Sequence, residues 1–147
     1  MIEIKKEELA NQLKKMNESG YNQLKFITAV DYKDKIVVVY LLHNYEKNDI
    51  QNINVTLSMN DLSIQTVMDI YPSADWYERE ISEMFGIKIL SRKTKRLLLE
   101  NWNGSIYPLR KDFVWGTEYK CAYVKNANKY RSYTPKHSWC YQTCCGC

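Results

Sequence analysis

A chain of 147 residues is long enough to bury one hydrophobic core and has the usual length of a single domain. Its composition, 45% hydrophobic and 26% charged, is that of a globular protein. The longest apolar run, residues 36–42, is far shorter than the roughly 20 residues that span a bilayer. The N-terminal residues lack the apolar stretch of a secretory signal, so we expect a cytoplasmic protein.

The net charge of +4 is unevenly distributed along the chain. Residues 1–90 carry 10 basic and 14 acidic side chains, whereas residues 91–147 carry 11 basic and 3 acidic ones. An anionic partner would therefore bind the C-terminal third. A solvated basic segment explains the same asymmetry equally well, and charge alone does not separate the two.

The N-terminal region has the pattern of an amphipathic helix. Between residues 4 and 16, Leu9, Leu13 and Met16 are spaced four and three apart, and Gly20 follows as a stop signal. The apolar stripe is narrow, which predicts a helix on the surface of the domain.

The next segments have the pattern of β-strands. Residues 24–32 and 36–43 are rich in β-branched and aromatic side chains and are joined by a three-residue polar turn, which predicts a hairpin. Apolar and polar residues alternate over 53–57, which predicts a third strand of an antiparallel meander. After it, Asp61 or Ser63 as a cap predicts a short helix that runs through Asp69.

The segment DWYEREISEMFGI, residues 75–87, predicts a second helix over residues 74–85. Ser73 or Asp75 can serve as its N-cap, and Asp75 with Glu78 resembles a capping box. Gly86 has the position of the C-terminal cap.

This helix carries two stripes on neighbouring sides. The apolar stripe, expected to face the core, consists of Tyr77, Ile81, Met84 and Phe85. The second stripe consists of Trp76, Arg79, Glu80 and Glu83. An exposed Arg79–Glu83 pair is worth only a few tenths of a kcal/mol, so stability does not explain this stripe. An aromatic residue among charges is typical of a protein contact surface.

A catalytic or metal-binding role for Glu78, Glu80 and Glu83 needs a histidine or a second carboxylate helix nearby. The chain has only His43 and His137. We therefore predict no catalytic residue and no cofactor.

Several motifs together resemble one protein family. In chain order they are residues 73–80 (SADWYERE), 83–87 (EMFGI), 96–99 (RLLL), Trp102 and 108–113 (PLRKDF). They resemble the 30-kDa subunit family of respiratory complex I, which includes the related small subunits of energy-converting membrane-bound nickel-iron hydrogenases. The hairpin sequence at residues 26–42 also resembles this family, so most of residues 24–113 is covered.

The resemblance implies a non-catalytic peripheral subunit of a membrane-associated, ion-translocating oxidoreductase complex. Its implied partners are the hydrogenase-like large subunit and the adjacent iron-sulfur small subunit, without nucleic acid. Contact with the membrane would be indirect, on the inner face of the cell membrane. Glu83 replaces the usual aspartate, the Gly-His-Pro turn after residue 87 is missing, and the Gly104–Pro108 spacing is longer. These departures favour a hydrogenase-type over a quinone-reducing complex.

The second motif has the properties of a docking loop. Pro108 stiffens the backbone, and Arg110, Lys111 and Asp112 supply hydrogen-bond donors and an acceptor. With the polar stripe of the helix, these residues form the predicted partner-docking site. The alternative is an internal brace, in which Arg110 or Lys111 pairs with Glu80 or Glu83.

The basic C-terminal third allows another function, that of a free-standing metal- or nucleic-acid-binding module. The basic run 92–96 could contact phosphates, but it contains no aromatic residue, and a solvated edge or partner contact is favoured. His137, Cys140, Cys144 and Cys147 are weak candidates for metal ligands. All four lie in one terminal segment, whereas structural zinc sites join separated ligand pairs, so a disordered tail is favoured.

The expected fold is α+β, with an antiparallel sheet of three to four strands, packed helices and an irregular C-terminal extension. We assign residues 1–116 to a domain resembling the complex I 30-kDa subunit. Residues 117–147 form a tail that contains tyrosine and cysteine.

Overall fold

The computed structural model describes residues 2–93, 95–98 and 107–113. The elements in chain order are β1 (Ile2–Ile4), α1 (Leu9–Glu18), β2 (Gln23–Asp31), β3 (Lys35–Asn44), β4 (Asp49–Ser58), β5 (Ser63–Gln65), α2 (Ala74–Phe85) and β6 (Lys88–Leu90). The α+β fold predicted from the sequence is confirmed. The boundary at residue 116 and the predicted tail lie outside the described residues.

The main sheet has four strands in the order β1-β4-β3-β2. The β2–β3 and β3–β4 pairs are antiparallel, as the meander pattern predicts. The prediction of a purely antiparallel sheet is wrong at one edge, because β1 pairs in parallel with β4. Residues 2–4 thus belong to a strand, and α1 begins only at Leu9. Three residues are too few to show a strand period, so only the β4 partner makes β1 a strand.

The helix predicted after Asp61 or Ser63 is also wrong. Residues 63–65 form β5, which pairs in parallel with β6 in a second, two-stranded sheet. Ile64 lies opposite Ile89 in this pair, and both side chains are buried. The partner strand lies more than twenty residues along the chain, so local sequence patterns do not reveal the pairing.

One hydrophobic core lies on a single side of the main sheet. Strand residues that alternate along β3 and β4, among them Val38, Tyr40 and Val55, form one cluster with Leu13 of α1 and Ile81 of α2. The two helices and the small sheet therefore cover the same face. Among the described residues, no helix has both the length and the apolar character needed to cross a bilayer.

Candidate docking surface

Helix α2 ends as its sequence predicts. Gly86 has φ of +74°, a left-handed conformation that favours glycine, and its N–H donates to the Ser82 carbonyl oxygen at 3.0 Å. A Cβ at this position would overlap the ring of Tyr107. Gly86 therefore both ends the helix and makes room for the segment 107–113.

The N-terminus of α2 differs from the prediction. Ser73 is the N-cap residue, but its side chain makes no capping hydrogen bond. The capping box is wrong because Glu78 points into the protein, where it is 1% exposed. The predicted core stripe is confirmed: Ile81 and Phe85 are buried, and Tyr77 and Met84 pack partly against the core.

Glu78 is the centre of a buried polar network. Its carboxylate accepts hydrogen bonds from the Val67 N–H at 2.7 Å and from the Thr66 hydroxyl at 2.8 Å. Burial raises the pKa of Glu78, although these two bonds and the positive charge of Arg92 act to lower it. Burial, and then the nearby charge of Glu78, raises the pKa of Tyr40. Glu78 thus joins α2 to residues 66–67, which follow β5.

Arg92 belongs to the basic run but turns toward α2. Its Nε lies 3.3 Å from a Glu78 carboxylate oxygen, and its guanidinium also pairs with Asp75 and donates to the Asp75 carbonyl oxygen. Its side chain is 16% exposed. Because Arg92 is already paired with acidic side chains of the same chain, one charge of the basic run 92–96 is not available to bind phosphate.

Arg79 connects the polar stripe of α2 to residues 95–98. Its guanidinium donates to the Lys95 carbonyl oxygen at 2.9 Å and to the Arg96 carbonyl oxygen at 2.7 Å. It lies 3.7 Å from Asp75 and 5.1 Å from the centre of the Trp76 ring. Trp76 itself is 59% exposed.

Glu83 holds the same segment from the next turn of the helix. One carboxylate oxygen accepts from the Leu97 N–H at 3.1 Å and from the Leu98 N–H at 2.8 Å. Arg79 thus binds carbonyls and Glu83 binds N–H groups of one short stretch of backbone. Leu98 is left 61% exposed beside the stripe, and Glu80 is exposed as well.

The segment 107–113 is joined to the protein at two points. Arg110 donates through Nε to the Phe85 carbonyl oxygen at 2.6 Å, at the C-terminus of α2, and its guanidinium stacks 4.5 Å from the Tyr107 ring centre. The Lys111 N–H donates to Asp31 of β2 at 2.9 Å. An internal brace therefore exists, but the acceptors are the Phe85 carbonyl and Asp31 rather than the predicted Glu80 or Glu83.

Asp31 is nearly fully buried, and it also accepts from the Lys33 N–H at 2.7 Å. Burial alone would raise the pKa of Asp31, but the N–H groups of Lys111 and Lys33, together with nearby positive charges, hold it below its ordinary value. The sequence analysis predicted neither the role of Asp31 as an acceptor for the segment 107–113 nor the burial of Glu78. The signal available for Asp31 was an acidic residue at the next position in the core-facing alternation of Ile27 and Ala29.

These contacts attach the predicted docking residues to α2 at two places: the polar stripe binds residues 95–98, and the segment 107–113 is bound at the C-terminus of the helix. The exposed side chains at these two places are grouped as one candidate surface. We call this surface the α2 docking face; it comprises Trp76, Arg79, Glu80, Glu83, Leu98, Leu109, Arg110, Lys111 and Asp112. Leu109 is 55% exposed, and its N–H donates to the Met84 carbonyl oxygen at 3.2 Å. Lys111 and Asp112 are exposed.

The candidate metal ligands His137, Cys140, Cys144 and Cys147 lie outside the described residues. Within the described ranges, no group of three or more histidine, cysteine, aspartate or glutamate residues could hold a metal ion.

Comparison with known proteins identifies the family. Residues 2–119 match the model of the respiratory-chain NADH dehydrogenase 30 kDa subunit family. The chain belongs to this family. The C subunit of the NADH-quinone oxidoreductase from Citrifermentans bemidjiense is 35% identical over 118 residues, which cover 76% of this chain and 72% of that protein. The corresponding C subunit from Parvibaculum lavamentivorans is 41% identical over 91 residues, covering 59% of this chain and 44% of its own length.

Members of the family also differ in size. The C/D subunit of the NADH-quinone oxidoreductase from Acidiphilium cryptum is 32% identical over 124 residues. These residues cover 76% of this chain but only 21% of that protein. It thus spans about a fifth to a half of the first curated relatives it matches.

Two solved structures have a similar fold. One is a chain of the membrane-bound sulfane sulfur reductase, an archaeal respiratory membrane complex, with a TM-score of 0.69 and 29% identity, covering 92% of this chain and 80% of that one. The other is a trypsin-resistant fragment of Nqo5, with a TM-score of 0.54 and 24% identity. The match covers 62% of this chain and 78% of that one. The second similarity concerns the fold alone.

Proposed function

We propose that this protein is a non-catalytic peripheral subunit of a membrane-associated, ion-translocating oxidoreductase complex. It docks through the α2 docking face on the hydrogenase-like large subunit and lies next to the iron-sulfur small subunit. Its place is the cytoplasmic side, on the inner face of the cell membrane. Family membership and the similarity to a chain of an archaeal respiratory membrane complex support this proposal.

The observation that carries the docking proposal is a surface whose backbone is hydrogen-bonded to α2 and which exposes apolar side chains. Arg79 and Glu83 fix the backbone that carries Leu98, and the Arg79 guanidinium lies against Trp76. A surface that is ordered before binding loses little conformational entropy when its partner binds. Its exposed aromatic and leucine side chains can then be buried in the partner.

The charged residues have a different role in this proposal. The side chains of Arg79, Glu83 and Arg110 form hydrogen bonds with the backbone of the chain itself. They therefore position the surface, while Trp76 and Leu98 supply most of the contact energy. Charged side chains at the rim, such as Glu80, set orientation and association rate more than affinity.

The test is co-purification with the large subunit, with the affinity tag on that subunit. We expect Trp76→Glu and Leu98→Glu to lower recovery of this chain at least about tenfold, as for central contact residues. Leu90→Glu is the matched control, because Leu90 is an exposed leucine, 46% accessible, on β6 rather than on the docking face.

Folding is measured separately as the urea midpoint of each isolated variant, which should stay near that of the wild type because these side chains are exposed. Recovery of both docking-face variants at the wild-type level would contradict the proposal. Equal loss for Leu90→Glu would show that any new charge weakens assembly, which also argues against a specific face.

A further inference from the structure

Three of the four acidic residues of α2 are bound within the chain. Asp75 pairs with Arg92, and Glu78 is buried beside the same guanidinium. Glu83 accepts two backbone N–H groups. Glu80 is the exposed member of the four. The helix therefore presents one exposed acidic residue to a partner.

Two lysines belong to the segment that lies along α2. Lys93 directly follows Arg92, which is bound to Asp75. The carbonyl oxygen of Lys95 accepts a hydrogen bond from Arg79. Both lysines are exposed, and neither forms an ion pair with an acidic side chain in the part of the chain that the structure describes. The backbone around them is thus held by α2, while their ammonium groups face solvent.

These lysines differ from the arginines of the same region. The side chains of Arg79 and Arg92 are 19% and 16% exposed and bind groups of the chain itself. Lys93 and Lys95 therefore carry the positive charge that this region presents to a partner. Because Glu80 is the one exposed acidic residue of the helix beside them, this part of the α2 docking face attracts anions.

The apolar neighbours of the lysines indicate which kind of anion fits. Trp76 is 59% and Leu98 is 61% exposed, and Leu98 follows Lys95 by three residues in the same bound segment. A partner that covers these side chains also removes water from the ammonium groups beside them. Because an ammonium group that loses water without a counter-charge costs free energy, the covering surface has to supply negative charge. A carboxylate next to an apolar side chain meets both needs, whereas a phosphate group offers Leu98 no apolar contact.

We propose that the α2 docking face recognises an acidic segment of the large subunit, in which carboxylates lie next to an apolar side chain. The carboxylates pair with Lys93 and Lys95, and the apolar side chain packs against Trp76 and Leu98. This inference rests on the proposed function, since it names the chemistry of the partner at the same face. Of the two explanations for the basic C-terminal third, it selects the anionic partner over the solvated segment for these two lysines.

The first test is carbodiimide cross-linking of the assembled complex, purified through a tag on the large subunit. A carbodiimide joins a lysine amine directly to a carboxylate, with no spacer between them, so it reports only groups in contact. We expect Lys93 or Lys95 to be linked to an aspartate or glutamate of the large subunit, identified by mass spectrometry of the linked peptides. In a parallel preparation, a photoreactive amino acid in place of Leu98 shows which subunit covers the face.

The two cross-links separate this inference from the proposed function. If position 98 cross-links to the large subunit but neither lysine does, the docking proposal stands and the acidic partner is overturned. If position 98 does not cross-link to the large subunit, both fail. A carbodiimide link from the lysines to their own chain, to a second copy or to another subunit would also overturn the acidic segment. Recovery that falls after nuclease treatment would assign the lysines to phosphate, with the same consequence.

Charge reversal of both lysines gives a second test. Lys93→Glu combined with Lys95→Glu places like charges against the partner, so recovery of this chain with the tagged large subunit should fall at least about tenfold at low ionic strength. Lys88→Glu is the matched control, because Lys88 is an exposed lysine on β6, and it should leave recovery unchanged. The urea midpoints of both variants should stay near that of the wild type, because the replaced side chains are exposed.

Recovery of the double variant at the wild-type level would overturn the acidic partner. The docking face itself would still stand or fall by Trp76→Glu and Leu98→Glu. Equal loss for Lys88→Glu would show that any reversed charge weakens assembly, and would overturn the assignment to Lys93 and Lys95.

Discussion

Replacing Glu78 should destabilise the fold more than replacing any other acidic residue of α2. Removal of its carboxylate leaves the Val67 N–H and the Thr66 hydroxyl without their acceptor. This costs about 1–3 kcal/mol for the buried Val67 N–H and less for the partly buried Thr66 hydroxyl, which water can reach. It also removes one partner of Arg92, although Arg92 keeps Asp75. Loss of one partner from a buried pair costs about 3–5 kcal/mol. Since these contributions overlap, we expect Glu78→Ala to lower the free energy of unfolding by about 3–5 kcal/mol.

The assay is urea unfolding followed by circular dichroism, with the change in unfolding free energy taken from the linear extrapolation. Glu80→Ala is the matched control, because Glu80 is an exposed glutamate two residues away on the same helix. Its expected effect is within about 0.5 kcal/mol. If Glu78→Ala cost no more than Glu80→Ala, the buried network would have no role in stability and the reasoning would be refuted.

The pH dependence tests the cause of the pKa shift. Burial raises the pKa of Glu78 in the folded protein, so the folded state binds a proton more tightly than the unfolded chain. The stability that comes from this tighter proton binding is therefore fully present below the unfolded pKa of about 4.3 and is lost as pH rises through the folded pKa. Glu78→Gln removes this titration. The stability of Glu78→Gln relative to wild type should rise as the pH increases above about 4.3, and a constant difference would contradict the assignment.

Three other changes test how the docking face is held. Gly86→Ala should cost about 1–3 kcal/mol in unfolding free energy, because alanine is strained at positive φ and its Cβ overlaps a neighbouring ring; a change below about 0.5 kcal/mol would refute this. Asp31→Ala should speed proteolysis of residues 107–113, because it removes the acceptor of the Lys111 N–H. The variant should be less stable than wild type, and this difference should shrink as pH falls through the lowered pKa of Asp31. A difference that persists in acid would argue against ionised Asp31 as the anchor. Arg79→Ala should speed amide hydrogen exchange at residues 95–98 severalfold, and unchanged exchange would show that this arginine does not order the segment.

Local patterns were sufficient for the elements that are long and strongly periodic. The hairpin of β2 and β3, the strand β4 and the helix α2 all appear where residue spacing predicts them. Gly86 was identified as a C-cap because a left-handed residue after an amphipathic helix is a local requirement. The hairpin and α2 also carry part of the family motifs, so the family resemblance could be found from sequence.

The short strands and the buried charges could not be predicted in this way. Three-residue strands such as β1 and β5 show no period, and their partners lie far along the chain. The sequence suggested a capping role for Glu78. Its burial could not be predicted, because it depends on Val67 and Arg92, which approach Glu78 only when the chain folds. The same holds for Arg110, whose acceptor is a helix-terminal carbonyl rather than a charged side chain.

The sequence by itself determined the α+β class, the two-sided character of α2 and the resemblance to one family, because each depends on residues close together in the chain. Only the tertiary structure decided which groups of the chain the charged residues bind. Arg79 and Glu83, predicted to meet a partner, each bind the backbone of residues 95–98 and expose Leu98. Such pairings depend on distances between segments, which hydrophobic packing of the whole core sets and no local pattern encodes.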